Sequence, residues 1–183
     1  MNSDGAQNSS LGVAGDPLAP AAPAPLPSGR FQGRAAFEQL VRDAFSRAAE
    51  EGWPEIIISD ASFEDWPLRE KVVCDALHAW SKTGRHFTML AKRFDSVPRY
   101  QPRFVSWRKS WSHIIECRQC PSADALDFPS ALWSRGWVMQ RLDLARSTGV
   151  SGPEPERRVA LRELLGERLR SSSPGFAATT LGL

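Results

Sequence analysis

Apolar residues recur with a helical period in the first regular part of the chain. From about residue 34 they fall at i, i+3, i+4, i+7, i+8 and i+11, at Phe37, Leu40, Val41, Ala44, Phe45 and Ala48. This spacing predicts a helix with one buried face, and Gly52 is expected to end it. The next apolar residues, Ile56, Ile57 and Ile58, are consecutive and β-branched, which predicts a strand covered on both faces.

Helical and strand patterns then alternate. Pro67, with Asp65 shortly before it, opens a second predicted helix whose apolar positions run to Trp80 and which Gly84 ends. Further on, the pattern predicts a strand over residues 86–91, a helix over 102–111, a strand over 113–117, a loop over 124–130, strands over 131–134 and 137–142, and a helix after Pro155. Arg135-Gly136 is expected to form the tight turn between the last two strands.

This order of elements is typical of an α/β protein. We predict a three-layer sandwich in which helices flank a mixed, mostly parallel sheet, with the hairpin as its antiparallel part. The domain is expected to cover residues 34–183, preceded by a disordered tail over residues 1–30. The tail contains five prolines and no aromatic residue, so it cannot bury enough apolar surface to offset its ordering entropy.

Composition narrows the class of protein. The 183 residues are 42% hydrophobic and 24% charged, with a net charge of +2, which excludes a histone-like polycation and an acidic solvating chain. No apolar run approaches the roughly 18 residues of a membrane span, and the N-terminus lacks the basic and apolar regions of a secretory signal. Three cysteines do not suit a disulfide scaffold. We therefore expect a cytoplasmic protein with no membrane partner.

Local charge changes this balanced picture. Residues 85–109 contain seven basic residues and one acid, a charge of +6 in 25 residues, and aromatic residues are interspersed among them. Cations pair with phosphates and aromatic rings stack on bases, so the segment is a candidate anion or nucleic-acid site. The alternative is equally physical, because Phe104, Trp107 and Trp111 have helical spacing and suit a core, while Arg103 and Lys109 suit a solvated face.

Asp60 lies at the end of the Ile-rich strand, where α/β sheets place ligands beyond the carboxyl ends of their strands. It is therefore a candidate ligand contact, although a role in the turn is an equal alternative. Asp65 is better interpreted as a helix cap. Altogether the candidate ligand-binding residues are Asp60, Arg85, His86, Arg99, Arg103, Arg108 and His113.

Motifs for metal, redox or nucleotide chemistry are weak or missing. Cys117 and Cys120 form a Cys-x-x-Cys with His113 nearby, but a second compact ligand pair is absent and Pro121 follows directly. The sequence contains no Gly-x-Ser-x-Gly elbow, no phosphate-binding P-loop and no Gly-x-Gly-x-x-Gly motif. We therefore expect no cofactor and no metal.

Several stretches together resemble an uncharacterised proteobacterial domain that occurs alone or appended to acetyltransferase domains. They are Ile58-Ser59-Asp60, Phe63-x-x-Trp66-Pro67-Leu68, Met89-Leu90-Ala91, Phe94-Asp95, Pro102-Arg103-Phe104-Val105-x-Trp107-Arg108, His113-Ile114-Ile115-Glu116-Cys117-Arg118 and Thr179-Thr180-Leu181-Gly182-Leu183. The resemblance covers about residues 35–183 and implies a phospholipase D-like α/β architecture, such as a half-domain of that fold. It implies no activity, because the His-x-Lys-x-x-x-x-Asp motif of phospholipase D is missing: His86 is followed by Phe87 and Thr88.

Three functions remain open on the sequence. The first is a non-catalytic module that binds an anionic ligand, such as a phosphate compound or nucleic acid, through residues 85–109. The second is a regulatory domain that docks onto a partner protein, which predicts an exposed apolar or Trp-rich patch. The third is a degenerate phospholipase D-like phosphodiesterase that uses His86 or His113. The sequence favours a protein that is not an enzyme and leaves the oligomeric state open.

Overall fold

The computed structural model describes residues 24–83 and 86–177 of the chain. Their elements run β1 (Gly29–Phe31), α1 (Arg34–Glu51), β2 (Glu55–Asp60), α2 (Lys71–Ser81), β3 (His86–Ala91), α3 (Ser96–Tyr100), α4 (Pro102–Ser110), β4 (Ile115–Gln119), β5 (Ser130–Ser134), β6 (Val138–Asp143), β7 (Thr148–Gly152), α5 (Pro155–Arg170) and β8 (Ser173–Pro174). The strands form one sheet in the order β1-β7-β6-β5-β2-β3-β4-β8.

Helices cover both faces of the sheet, so the predicted three-layer α/β sandwich is confirmed. One core lies beneath α1, α2 and α4 and contains Ile56 and Ile58, whereas Ile57 points to a second core beneath α5. Strand β2 lies between β3 and β5, and because both faces of the sheet are covered there, all three isoleucines are buried.

The sheet is mixed, but less parallel than predicted. Within the described residues only β2–β3 and β3–β4 pair in parallel, and the other five pairings are antiparallel. The difference arises because β5, β6 and β7 form a meander on one side of β2, and because short strands cap both edges.

Helix α2 begins four residues later than predicted, at Lys71 rather than Pro67. Pro67 instead opens a turn in which its carbonyl oxygen accepts a hydrogen bond from the Glu70 N–H, at 3.0 Å. The buried amide of Gln101 donates to the carbonyl oxygens of Phe63 and Trp66, both at 3.0 Å, and so holds residues 63–66 in a loop. This contact across 38 residues leaves no periodic signal in the sequence.

The predicted tail is too long at its C-terminal end. Residues 24–30 lie against the domain, and Gly29–Phe31 form β1, which pairs antiparallel with β7. The carbonyl oxygen of Pro27 accepts hydrogen bonds from Trp137 Nε1 and Ser151 Oγ, both at 3.0 Å. Residues 1–23 lie outside the described residues.

Candidate anion-binding surface

The seven candidate residues lie at different depths and at two ends of the sheet. His86 begins β3 and His113 precedes β4, which places both histidines at the amino ends of the parallel strands. Asp60 is the last residue of β2 and lies at the opposite, carboxyl end of the parallel strands. A six-residue strand separates these two ends by about 16–20 Å. Arg108 is buried, whereas Arg99 and Arg103 are exposed. Arg85 lies outside the described residues.

Asp60 is part of a buried ion cluster that sequence analysis missed. Its Oδ2 accepts from Arg141 Nη2 at 2.8 Å, and its Oδ1 accepts from the backbone N–H groups of Ser62 and Phe63 at 3.0 and 2.9 Å. Asp65 also pairs with Arg141, and because the N-cap residue of α2 is Glu70, the capping interpretation of Asp65 is wrong. Asp60 is therefore both a turn residue and half of a buried salt bridge.

The Arg141 guanidinium contacts a hydroxyl, two carboxylates and an aromatic ring. Its Nε donates to Ser130 Oγ at 2.8 Å, and its guanidinium carbon lies 4.1 Å from the centre of the Phe37 ring. Burial disfavours the charged guanidinium, but the hydrogen bonds and charges of Asp65 and Asp60 outweigh that effect, so the pKa of Arg141 is raised. The sequence carried one signal, since strand alternation puts Arg141 on the same inward face as Met139.

Arg108 supports the core rather than the surface. Its Nε donates to Cys117 Sγ at 3.0 Å, and its guanidinium carbon lies 4.8 Å from the centre of the Phe176 ring. Burial raises the pKa of the Cys117 thiol, and the nearby Arg108 opposes this only in part. The Arg108 side chain therefore points to the buried side of α4, away from any ligand on the solvent side of that helix.

Three exposed cations of the segment lie on α3 and α4, and a fourth, Arg93, lies in the loop between β3 and α3. Arg99 lies on α3, with its guanidinium carbon 5.3 Å from the centre of the exposed Tyr100 ring. On α4, Arg103 and Lys109 face solvent while Phe104 and Trp107 are buried. Arg103 Nη1 donates to the carbonyl oxygen of Arg69 at 3.0 Å. This contact places Arg69, which is also exposed, next to the solvent side of α4. We call Arg69, Arg99, Arg103 and Lys109 the basic face.

No member of the basic face forms an ion pair with a carboxylate among the described residues. Helix α1 provides the contrast, because its arginines, Arg34, Arg42 and Arg47, each pair with at least one glutamate. The side chains of the basic face therefore keep hydrogen-bond donors and charge available for a ligand.

Most aromatic residues of the segment serve the core. Phe87, Phe94, Phe104 and Trp107 are buried, which confirms the helix-core interpretation of Phe104 and Trp107. Tyr100 is 41% exposed, and six of the seven tryptophans are buried, so the described residues do not form an exposed Trp-rich patch. Trp111 is half-buried at the far end of α4.

The histidines and cysteines do not assemble a reactive centre in the part of the chain that the structure describes. His86 Nε2 lies 3.7 Å from Glu116 Oε2, with both side chains about half exposed, and the ring of His113 packs near Trp111. Cys74, Cys117 and Cys120 are free thiols, and no group of three metal-ligating side chains occurs among the described residues. No helix in residues 24–83 or 86–177 has the length and apolarity to span a membrane.

Comparison with family models and with curated proteins returns no match. Two solved structures share the fold at low sequence identity. The archaeal chromatin protein TrmBL2, whose structure shows a novel mode of DNA binding, aligns with a TM-score of 0.60 at 16% identity over 85% of this chain. This chain spans 56% of TrmBL2, or about half its length.

The second structure is Nuc from Salmonella typhimurium, a member of the phospholipase D family. It aligns with a TM-score of 0.53 at 13% identity over 81% of this chain and 98% of Nuc. The shared elements agree with the mixed sheet flanked by helices that is described above. The chain therefore has the α/β fold of this phospholipase D family member.

Proposed function

We propose that this protein is a non-catalytic α/β module that binds a phosphate-containing polyanion, nucleic acid in particular, through the basic face. The observation that carries the proposal is the set of exposed cations, Arg69, Arg99, Arg103 and Lys109, which have no carboxylate partner among the described residues. Phosphate oxygens are the ligands that such arginines and lysines bind through charge-assisted hydrogen bonds.

The spacing of the cations suits a polymer better than a single phosphate. Arg103 and Lys109 are six residues apart on α4, which corresponds to about 9 Å along the helix axis. Arg99 precedes α4 on α3, and Arg69 approaches from the loop before α2. The separation of Arg103 and Lys109 therefore favours a ligand that carries several phosphates over a single phosphate group.

The fold comparison supports the same ligand class. TrmBL2 is a DNA-binding chromatin protein with this fold, so the fold is compatible with nucleic-acid binding. The identity is too low for residue roles to be transferred, and the argument for this chain depends on its own basic face. Membership of the resembled proteobacterial family likewise stays a prediction.

The non-catalytic part of the proposal is supported by what occupies the carboxyl end of β2. In open α/β sheets this edge is the usual ligand crevice. Here Asp60 and Asp65 neutralise Arg141, and each guanidinium nitrogen of Arg141 donates to a protein oxygen. His86 and His113 lie at the amino ends of the parallel strands, so they do not join these carboxylates in one site.

A matched pair of double variants tests the proposal. Arg99→Ala with Arg103→Ala removes two charges from the basic face, while Arg34→Ala with Arg146→Ala removes two exposed charges that are already paired. We expect the first variant to bind labelled single-stranded or duplex DNA at least about tenfold more weakly, because a charged hydrogen bond contributes roughly 1.5–3 kcal/mol. The control variant is expected to bind like wild type in fluorescence anisotropy.

Two results would count against the proposal. If wild type binds neither DNA, RNA nor heparin at low salt, the basic face is a solvated surface. If both double variants lose the same affinity, binding follows net charge rather than this surface. Recovery of intact oligonucleotide after incubation separates a binding module from a degenerate phosphodiesterase, which would shorten the ligand.

A further inference from the structure

A cleft lies on the opposite side of the sheet from α3 and α4. It has a volume of about 370 Å³ and forms where the β5–β6 hairpin meets the first half of α5. It is lined by Trp133, Arg135, Pro155, Arg158, Val159, Arg162 and Glu163. Because α3 and α4 cover the other face of the sheet, this cleft and the basic face are separate surfaces.

Trp133 fixes the geometry of the cleft. Its Nε1 donates to the carbonyl oxygen of Arg158 at 2.9 Å, and the guanidinium carbon of Arg162 lies 5.2 Å from its ring centre. Arg158 Nη1 donates to the carbonyl oxygen of Arg135, which ties α5 to the tip of the hairpin. Contacts within the protein therefore orient the indole, the Arg162 guanidinium beside it and the Arg158 guanidinium at the hairpin before any ligand arrives.

The charge of the cleft favours an anion. Three arginines line it, against a single lining acid, Glu163. Arg158 and Arg162 are one helical turn apart, a spacing at which like charges destabilise a helix. Arg162 lies 3.5 Å from Glu55, but Arg158 has no carboxylate partner among the described residues, and its buried Nε has no hydrogen-bond acceptor. An anionic group beside Arg158 would offset the repulsion between the two guanidinium groups.

The other walls of the cleft are apolar. Val159 is 58% exposed although it is a large hydrophobic side chain, and Pro155 lies one turn before it on the same stripe of α5. Trp133 adds the edge of an aromatic ring that is itself largely buried. Apolar walls with a few oriented polar groups are typical of small-molecule sites, and 370 Å³ is within the usual range of volumes.

We infer that this cleft binds a small amphiphilic anion, with its acidic group at Arg158 and Arg135 and its apolar body against Val159, Pro155 and Trp133. The ligand class is a carboxylate, sulfonate or phosphate on a single ring system or a short chain. This inference is independent of the proposed function, because neither α3 nor α4 contributes to the cleft.

The probe for this site is 8-anilinonaphthalene-1-sulfonate, an aromatic anion whose fluorescence rises in apolar surroundings. We expect wild type to bind it, and 4-phenylbutyrate to displace it while the matched cation 4-phenylbutylamine does not. Val159→Asp places a carboxylate on an exposed wall without touching the core, and it should weaken binding at least tenfold. Arg158→Gln with Arg162→Gln should have a similar effect.

Two controls tie the signal to the cleft. Leu142→Asp changes another exposed apolar residue, 66% exposed on β6, and Arg103→Ala changes the basic face. Both are expected to bind the probe within twofold of wild type, with circular dichroism confirming that every variant is folded. The inference is overturned if wild type does not bind the probe, if Val159→Asp binds it as wild type does, or if the amine competes as well as the carboxylate.

Discussion

Arg141 shows how one buried charge can be accommodated in the core. Its side chain is 2% exposed and lies over Phe37, where an unpaired guanidinium would be strongly disfavoured. Asp60 at the end of β2 and Asp65 in the loop after it supply the compensating charge, and Ser130 supplies an acceptor from β5. The cluster thus connects β6, β5 and the β2–α2 loop through one side chain.

Replacing Arg141 should therefore destabilise the fold, because its carboxylate partners would be left without a cation. Arg141→Met keeps much of the packing volume but leaves Asp60 buried without its cation, and we expect a loss of about 3–5 kcal/mol in the free energy of unfolding. The control is Arg146→Met, because Arg146 is 81% exposed and pairs only at the surface with Asp143. Urea denaturation measures both. An Arg141→Met protein as stable as the control would show that the buried cluster contributes little.

Cys74 provides a prediction about pH. Burial raises the pKa of its thiol to about 11 from 9.0, with Arg103 opposing the shift. The folded state therefore keeps a proton that the unfolded state loses between pH 9 and 11, so this thiol's contribution to stability is complete below pH 9 and is lost as the pH rises through that interval.

Cys74→Ser isolates that contribution. A serine hydroxyl can also donate to the Leu68 carbonyl oxygen, as the thiol does at 3.3 Å, but it does not titrate in this range. We expect wild type to lose stability relative to Cys74→Ser between pH 9 and 11 in thermal melts. Parallel curves for the two proteins over that interval would contradict the raised pKa.

At the scale of elements, β1 and the residues before it make more contacts with the rest of the domain than a three-residue edge strand would suggest. Phe31 packs against the main core, and a Cβ added at Gly149 on β7 would clash with the Gln140 carbonyl oxygen of β6 and lie 2.6 Å from the Phe31 ring of β1. Glycine at this position therefore permits the close approach of the two strands. The preceding residue pair Pro27-Ser28 supplies a carbonyl acceptor for Trp137 and a hydroxyl that donates to Glu154.

Two N-terminal deletions should separate the tail from the fold. Removing residues 1–23 is expected to shift the melting temperature by no more than about 1–2 °C, since their composition cannot build a core. Removing residues 1–31 takes away β1 and leaves the buried Trp137 Nε1 without an acceptor, which alone costs roughly 1–3 kcal/mol. Equal melting temperatures for the two truncated proteins would show that β1 is dispensable.

Periodicity predicted the elements whose own residues determine them. Helix α1 and strand β2 occur where the apolar spacing put them, because each buries a continuous face. Strands β1 and β8 were missed because they have three and two residues, and their existence depends on pairing with distant strands. Strand β7, Thr148–Gly152, was missed because it contains two glycines and no alternating apolar face.

The candidate site was predictable only in part, for the same reason. Phe104, Trp107, Arg108 and Trp111 have the spacing i, i+3, i+4 and i+7, so the helical pattern already placed Arg108 on the buried face of α4. Arg103 and Lys109 are on the solvent side by the same count. Nothing local could assign Arg69 to their surface, because the contact with Arg103 spans 34 residues.

Across the whole molecule, a net charge of +2 conceals an uneven distribution. Intramolecular ion pairs neutralise the arginines of α1, while the basic face remains without such pairs among the described residues. Long-range attraction of a polyanion to so balanced a protein is weak, so binding must come from direct phosphate contacts. Such contacts release counterions from the nucleic acid, and the salt dependence of the affinity then counts them.

The salt dependence of DNA binding should therefore reflect the number of contacts that the basic face makes. With three or four phosphate contacts from the basic face, a plot of log K against log salt for duplex DNA should have a slope of about −2.7 to −3.6, at roughly −0.9 per contact. Arg99→Ala with Arg103→Ala removes two contacts and should make the slope shallower by about 2, whereas Arg34→Ala with Arg146→Ala should leave it unchanged. Anisotropy titrations between about 50 and 200 mM salt measure all three slopes. A wild-type slope near zero would exclude phosphate contacts, and equal slopes for the two double variants would move the contacts to another surface.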